Sequence, residues 1–113
     1  MVMSVMQHIE ELLDAPASGE AAPTLERMEA TLTDGYAQAL ALEAERSRIE
    51  RRIGEVASTA EERSDVGLAE ELTALAGRMR SADRELSKLR PLLGRLQDRT
   101  RATRRQTMPD LTA

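Results

Sequence analysis

Two stretches of the chain carry apolar residues at spacings that alternate between four and three. The downstream series comprises Leu68, Leu72, Leu75, Met79, Ala82, Leu86, Leu89, Leu93 and Leu96. The upstream series comprises Leu25, Met28, Leu32, Gly35, Ala39, Leu42, Arg46, Ile49, Ile53, Val56 and Ala60. Helices with this heptad spacing bury one narrow stripe, here called the seam, against another helix. The pattern therefore predicts an all-α protein built on a two-helix antiparallel coiled-coil hairpin.

Two irregular seam positions indicate how the helices align. Gly35 costs a helix about 1 kcal/mol relative to alanine, and Arg46 places a charge in the seam. In one register Arg46 lies opposite Ala82, and Gly35 lies opposite Leu93, so that a large residue meets a small one. A register slipped by one heptad stacks Ala39 on Ala82 and leaves a void. We therefore expect the first register.

The polar stretches between the apolar series predict three segments. Residues 1–23 form a short N-terminal helical arm and a flexible linker, because Ser4 and Gln7 have capping-box spacing and the sequence DAPASGEAAP follows. Residues 24–105 form the hairpin, with its turn within residues 58–67. Residues 106–113 form a disordered tail. Pro91 falls on the outer face of the second helix, where we expect a mild kink rather than a break.

Composition narrows the class of protein. The 113 residues include one Tyr, no Phe, no Trp and no Cys, and 32% are charged. A thick globular core is excluded, as are disulfides and thiolate metal sites. The net charge of −4 argues against direct nucleic-acid binding. No membrane-spanning or secretory segment is evident, so we expect a cytoplasmic protein.

Charge is distributed unevenly. From Lys88 to Arg105 there are seven cations and one acid, whereas from Glu55 to Glu71 there are six acids and one cation. The basic end could contact phosphates or an acidic protein, but cations near a helix C-terminus also complement the helix dipole. The acidic turn, with Glu61, Glu62 and Asp65, could act as a tip that enters RNA polymerase, or it could be a solvated loop.

Catalytic chemistry finds little support in the residues. His8 is the only histidine and has no nucleophile near it in sequence. Neighbouring carboxylates such as Glu70 and Glu71 point to different sides of a helix, which disfavours a metal site. From these residues we expect no enzymatic activity, no bound metal and no cofactor.

Apolar residues outside the seam predict an interaction surface. A lone hairpin leaves them partly exposed, and such exposure is typical of protein interfaces. We therefore expect a homodimer or a tight complex with another protein. The predicted partner interface comprises Val5, Ile9, Leu12, Leu13, Tyr36 and Leu92, and Leu40 and Val66 also lie outside the seam.

A polar stripe beside the seam carries a sharper pattern. On the second helix it comprises Asp83, Ser87, Arg90, Gly94 and Asp98, and on the first it comprises Glu43, Ser47, Glu50, Gly54 and Ser58. Both series share spacings of four, three, four and four. The pattern resembles the acid–Ser–Arg–Gln–Asp series of RsiG-type anti-sigma factors of actinobacteria, which are helical hairpins that respond to cyclic di-GMP.

The resemblance implies a nucleotide site and a sigma-factor partner. The residues it assigns to cyclic di-GMP are Glu43, Ser47, Asp83, Ser87, Arg90 and Asp98. The sequence departs from the family series at three kinds of position. Glu50 stands where arginine is expected, Gly54 and Gly94 replace glutamine, and Ser58 replaces aspartate. The resemblance covers the hairpin and does not extend to the N-terminal arm.

The leading hypothesis is a non-enzymatic regulatory protein-interaction module that sequesters a sigma factor under cyclic-di-GMP control. One alternative is a structural or adaptor coiled coil whose hairpins pair into a homodimeric four-helix bundle. A second alternative is an RNA-polymerase-binding hairpin that acts through its acidic tip.

Overall fold

The computed structural model describes residues 3–62 and 66–107, and within these ranges the secondary structure is three α-helices without a strand. They are α1 (Val5–Asp14), α2 (Leu25–Ser58) and α3 (Val66–Thr107). The predicted all-helical class is confirmed. The connection between α2 and α3 falls inside the predicted turn region. Residues 108–113 of the predicted tail lie outside the described residues, as does Asp65 of the acidic turn.

Side-chain caps fix the starts of the first two helices. The Ser4 hydroxyl accepts a hydrogen bond from the Gln7 amide at 3.2 Å, and the Gln7 side chain accepts one from the Ser4 amide at 2.8 Å. This is the predicted capping box, which satisfies two backbone donors at once. At α2 the Thr24 hydroxyl accepts from the Arg27 amide at 3.1 Å. Pro91 lies inside α3, which continues beyond it to Thr107.

The predicted seam is the buried stripe of both long helices. Nearly every member is buried or half-buried, and Leu89 and Leu96 are completely inaccessible. Ala60 is the exception, since it is exposed and lies beyond the end of α2. Its assignment to the seam was wrong, because the heptad spacing continued by chance past the last helical residue.

Contacts divide the chain into two compact units. Unit 1 contains α1, α2 as far as Ala39 and α3 from Lys88 onward. Its core is filled by aliphatic side chains from all three helices. The buried residues are Ile9, Leu12, Met28, Leu32, Ala39, Leu89, Leu93, Leu96 and Thr100. Thr100 is polar, and its hydroxyl donates to the Leu96 carbonyl at 2.7 Å, so this buried donor is paired.

Unit 2 comprises residues Leu40–Ser87, which include the rest of α2 and the first half of α3. Its core is centred on Ile49, Val56 and Leu75, and Ile53, Leu68, Leu72 and Met79 pack around them. Salt bridges join late residues of α2 to early residues of α3. One example is Arg52, whose Nη2 lies 2.5 Å from Oε1 of Glu71.

The N-terminal arm packs within unit 1. A ten-residue helix is marginal in water by itself, so α1 needs the burial that unit 1 provides. Among the described helices none is both long and apolar enough to cross a membrane.

Candidate protein-interaction site

Gly35 creates the space that Leu93 occupies, next to Ile9 of α1. A Cβ atom built at this position would lie 2.4 Å from Cδ2 of Leu93 and 3.4 Å from Cδ1 of Ile9. The first distance is far shorter than a van der Waals contact. The absence of a side chain therefore lets Leu93 approach the α2 backbone, and Ile9 packs beside the same position. The contact also confirms that Gly35 lies against Leu93, as the predicted register requires.

Arg99 holds the C-terminal end of α1. Its Nη1 donates to the carbonyl oxygens of Leu12 and Leu13, each at 2.7 Å. Its Nη2 donates to the carbonyl oxygens of Ala15 at 2.5 Å and Pro16 at 2.7 Å. The last carbonyls of a helix have no partner within the helix and carry its negative dipole end. One guanidinium thus satisfies two carbonyls in the last turn of α1 and those of the two residues that follow the helix, and it places a positive charge where the dipole favours it.

An ion pair adds to this contact. Nη2 of Arg27 on α2 lies 3.5 Å from Oε1 of Glu11 on α1, and both side chains are more than half exposed. Such an exposed pair contributes little stability, about 0–1 kcal/mol.

The α1 groove is the surface of unit 1 formed by Arg27, Gly35, Leu93 and Arg99.

The predicted partner interface separates into buried and accessible residues. Ile9 is 0% and Leu12 is 2% exposed, because both pack inside unit 1. These two side chains are therefore not part of an open surface, and the prediction is revised for them. The structure places Val5, Leu13 and Leu92 at half-buried positions and leaves Tyr36 42% exposed.

The members of the polar stripe lie in both units. Unit 2 contains Glu43, Ser47 and Ser87, which are exposed, and Asp83, which is half-buried. Arg90 and Asp98 belong to unit 1 and are exposed on α3. Each residue thus lies on a helix surface, off the seam. The nucleotide assignment stays a prediction.

Asp83 has a structural role beside the charged seam position. Nε of Arg46 lies 2.8 Å from Oδ1 of Asp83, and Nη2 lies 3.6 Å from Oε1 of Glu50. The Nε atom is inaccessible to solvent and the Asp83 contact lacks hydrogen-bond geometry, so the attraction is that of an ion pair. Asp83 and Glu50 therefore balance the charge of Arg46. Glu50 is the residue that stands in place of the arginine of the anti-sigma series.

Two further ion-pair groups join the helices of unit 2. Arg78 donates a hydrogen bond to Glu45, and Arg48 donates another at 2.8 Å. These bonds stabilise the carboxylate and hold the pKa of Glu45 below its ordinary value. The hydrogen bond from Arg52 to Glu71, with a second to Glu55, raises the pKa of Arg52.

Metal-binding chemistry is not assembled in the part of the chain that the structure describes. No group of three or more His, Asp or Glu side chains in residues 3–62 and 66–107 is arranged to hold an ion. His8 is half-buried on α1.

Comparison with known proteins returned no match among family descriptions, curated proteins or solved structures.

Arg99 is the residue of this candidate site that sequence reasoning missed. Its place among the cations at the end of α3 predicts only a complement to the dipole of α3, whereas its guanidinium contacts the end of α1. One hint was present, since Arg99 lies three residues after Leu96 and so borders the seam.

Proposed function

We propose that this protein is a non-enzymatic regulatory interaction module in which α2 and α3 form an antiparallel coiled-coil hairpin. Its proposed partner is a sigma factor, which the hairpin surface sequesters. The pairing of late α2 residues with early α3 residues in unit 2 supports the antiparallel arrangement, as does the contact between Gly35 and Leu93 in unit 1. Cyclic-di-GMP control is not part of the proposal, because Asp83 of the polar stripe already pairs with Arg46, and Glu50 stands where the anti-sigma series has arginine.

The observation that carries the proposal is the exposure of Tyr36. It is the only aromatic residue of the chain, and 42% of it remains accessible while aliphatic side chains fill the core. Tyrosine is enriched at protein interfaces, because it offers a large apolar area with a polar tip and loses little entropy on binding. A surface tyrosine beside a completed core is therefore better suited to a partner than to stability.

The test measures complex formation with purified sigma factors from the source organism. The wild-type chain should co-elute with one of them in size-exclusion chromatography. Tyr36→Asp should abolish that complex and preserve the far-UV circular dichroism spectrum, since the residue lies outside the core. Gln38→Asp is the matched control, because it introduces the same charge at another exposed position on α2. The absence of any complex, or equal loss in both variants, would reject the proposal.

A homodimeric four-helix bundle is the second candidate. In unit 2 Leu40 is 66% and Val66 is 74% exposed, and a second copy could cover such residues. Sedimentation velocity over a range of concentrations should then give a dimer that Leu40→Asp dissociates. A wild-type chain that stays monomeric at high concentration rejects this candidate.

A further inference from the structure

The helix α1 packs on unit 1 through one apolar face. Ile9 and Leu12 are its buried residues, and they are three positions apart on one face. A polar segment of residues 15–24 connects α1 to α2, and it folds back through a turn at Gly19. There φ is +92°, a conformation that glycine adopts readily, and the Ala22 amide donates to the Gly19 carbonyl at 3.2 Å.

The strongest polar contacts to α1 do not depend on its side chains. All four hydrogen bonds from Arg99 end on main-chain carbonyl oxygens. Any helix that ends at the same place offers the same acceptors. The side-chain requirement is one apolar helix face. Ile9 and Leu12, spaced i and i+3, are buried, and Val5, Met6 and Leu13 are half-buried around them. An acid placed to meet Arg27, as Glu11 is, adds charge complementarity.

These features describe a receptor for a short amphipathic helix, a recurring mode of protein recognition. We infer that α1 is a displaceable occupant of the α1 groove, and that the competing occupant is an amphipathic helix of a partner protein that ends at Arg99 as α1 does. The inference rests on the proposed function and deepens it, because it names the chemistry of the partner segment.

The tether explains why α1 occupies the groove in the free protein. A linker of about ten residues keeps α1 at an effective concentration on the order of 1 mM near the groove. A partner helix must overcome this local concentration, so the docked arm weakens partner binding. Undocking α1 should therefore strengthen the binding of a helix supplied from outside.

The experiment uses the full chain and a fluorescent synthetic peptide of residues 3–16 as the probe. Ile9→Asp combined with Leu12→Asp in the chain should undock α1 and leave the groove open. Fluorescence anisotropy should show the peptide binding this variant at least tenfold more tightly than the wild type. Glu10→Gln, at an exposed α1 position, is the matched control and should behave as the wild type. A peptide with the two aspartates should not bind.

Arg99 provides the second arm of the test. Adding Arg99→Met to the undocked variant should weaken peptide binding at least tenfold, because four carbonyl contacts are lost. If the undocked chain keeps its helicity but does not bind the peptide, the inference is overturned. Binding that is insensitive to Arg99→Met overturns it as well, since the peptide would then occupy another surface.

Cross-linking keeps the inference testable if the double aspartate variant does not fold. The native chain has no cysteine, so Glu11→Cys with Arg27→Cys introduces one defined pair. A flexible bismaleimide should join the pair within one chain, and excess peptide should suppress that product. A link formed between two chains would overturn the inference, because α1 would then be exchanged between copies. Peptide binding without a sigma-factor complex would reject only the sigma-factor assignment and leave this inference standing.

Discussion

Replacing Gly35 by alanine should destabilise the protein, although alanine is the better helix former. In an exposed helix interior this change stabilises by about 1 kcal/mol. At Gly35 the new Cβ would lie 2.4 Å from Cδ2 of Leu93, which is 4% exposed. Leu93 must therefore move within the core of unit 1, whereas Ile9, at 3.4 Å, would only be in close contact.

The two effects have opposite signs and can be compared. Overpacking a core by one methyl group costs about 1–3 kcal/mol. Subtracting the helix-propensity gain of about 1 kcal/mol leaves a net destabilisation of about 0–2 kcal/mol for Gly35→Ala. Gly94→Ala provides the matched control in the same unit, because a Cβ there has nothing within 4 Å. It should stabilise by up to about 1 kcal/mol.

Urea unfolding followed by circular dichroism at 222 nm measures both variants. Leu93→Ala by itself should cost about 2–5 kcal/mol. Combined with Gly35→Ala it should cost less than the sum of the single changes, since the new methyl group partly fills the cavity. If Gly35→Ala stabilised the protein as much as Gly94→Ala does, the packing of Gly35 against Leu93 would be refuted.

Three other perturbations test the remaining contacts. Arg99→Met should loosen α1 by about 2 kcal/mol, seen as roughly 30-fold faster amide exchange in residues 5–14; unchanged exchange would contradict the carbonyl contacts. Calorimetric titration of the wild type with cyclic di-GMP should show weak binding or none, because Asp83 already pairs with Arg46; tight binding abolished by Arg90→Ala would instead support the nucleotide site. The lowered pKa of Glu45 means that its interactions stabilise the fold above the unfolded pKa and are lost as pH falls through the folded one. Glu45→Gln should therefore lower stability more at pH 7 than in acid below the ordinary pKa of a carboxyl group, and an equal loss under both conditions would refute the ion-pair explanation.

Local patterns in the sequence determined the helices and their buried faces. Heptad spacing identified the seam because a residue's position on a regular helix depends only on its number. The cap at Ser4 was equally predictable, since the capping box involves residues three apart. The contact between Gly35 and Leu93 followed from matching residue sizes across the pair. The interaction surface was predicted less well, because exposure depends on what packs beside each residue.

Only the tertiary structure decided where α1 packs and what Arg99 does. The sequence is compatible with an α1 that packs on the hairpin and with an α1 that binds a partner protein, because one apolar helix face suits either arrangement. Arg99 is 83 residues or more from the carbonyl oxygens it contacts. Every residue has a main-chain carbonyl, so no pattern of side chains indicates which carbonyls a distant arginine contacts. The ion pair between Asp83 and Arg46 could not be predicted from the sequence for a related reason, since it depends on how two helices align.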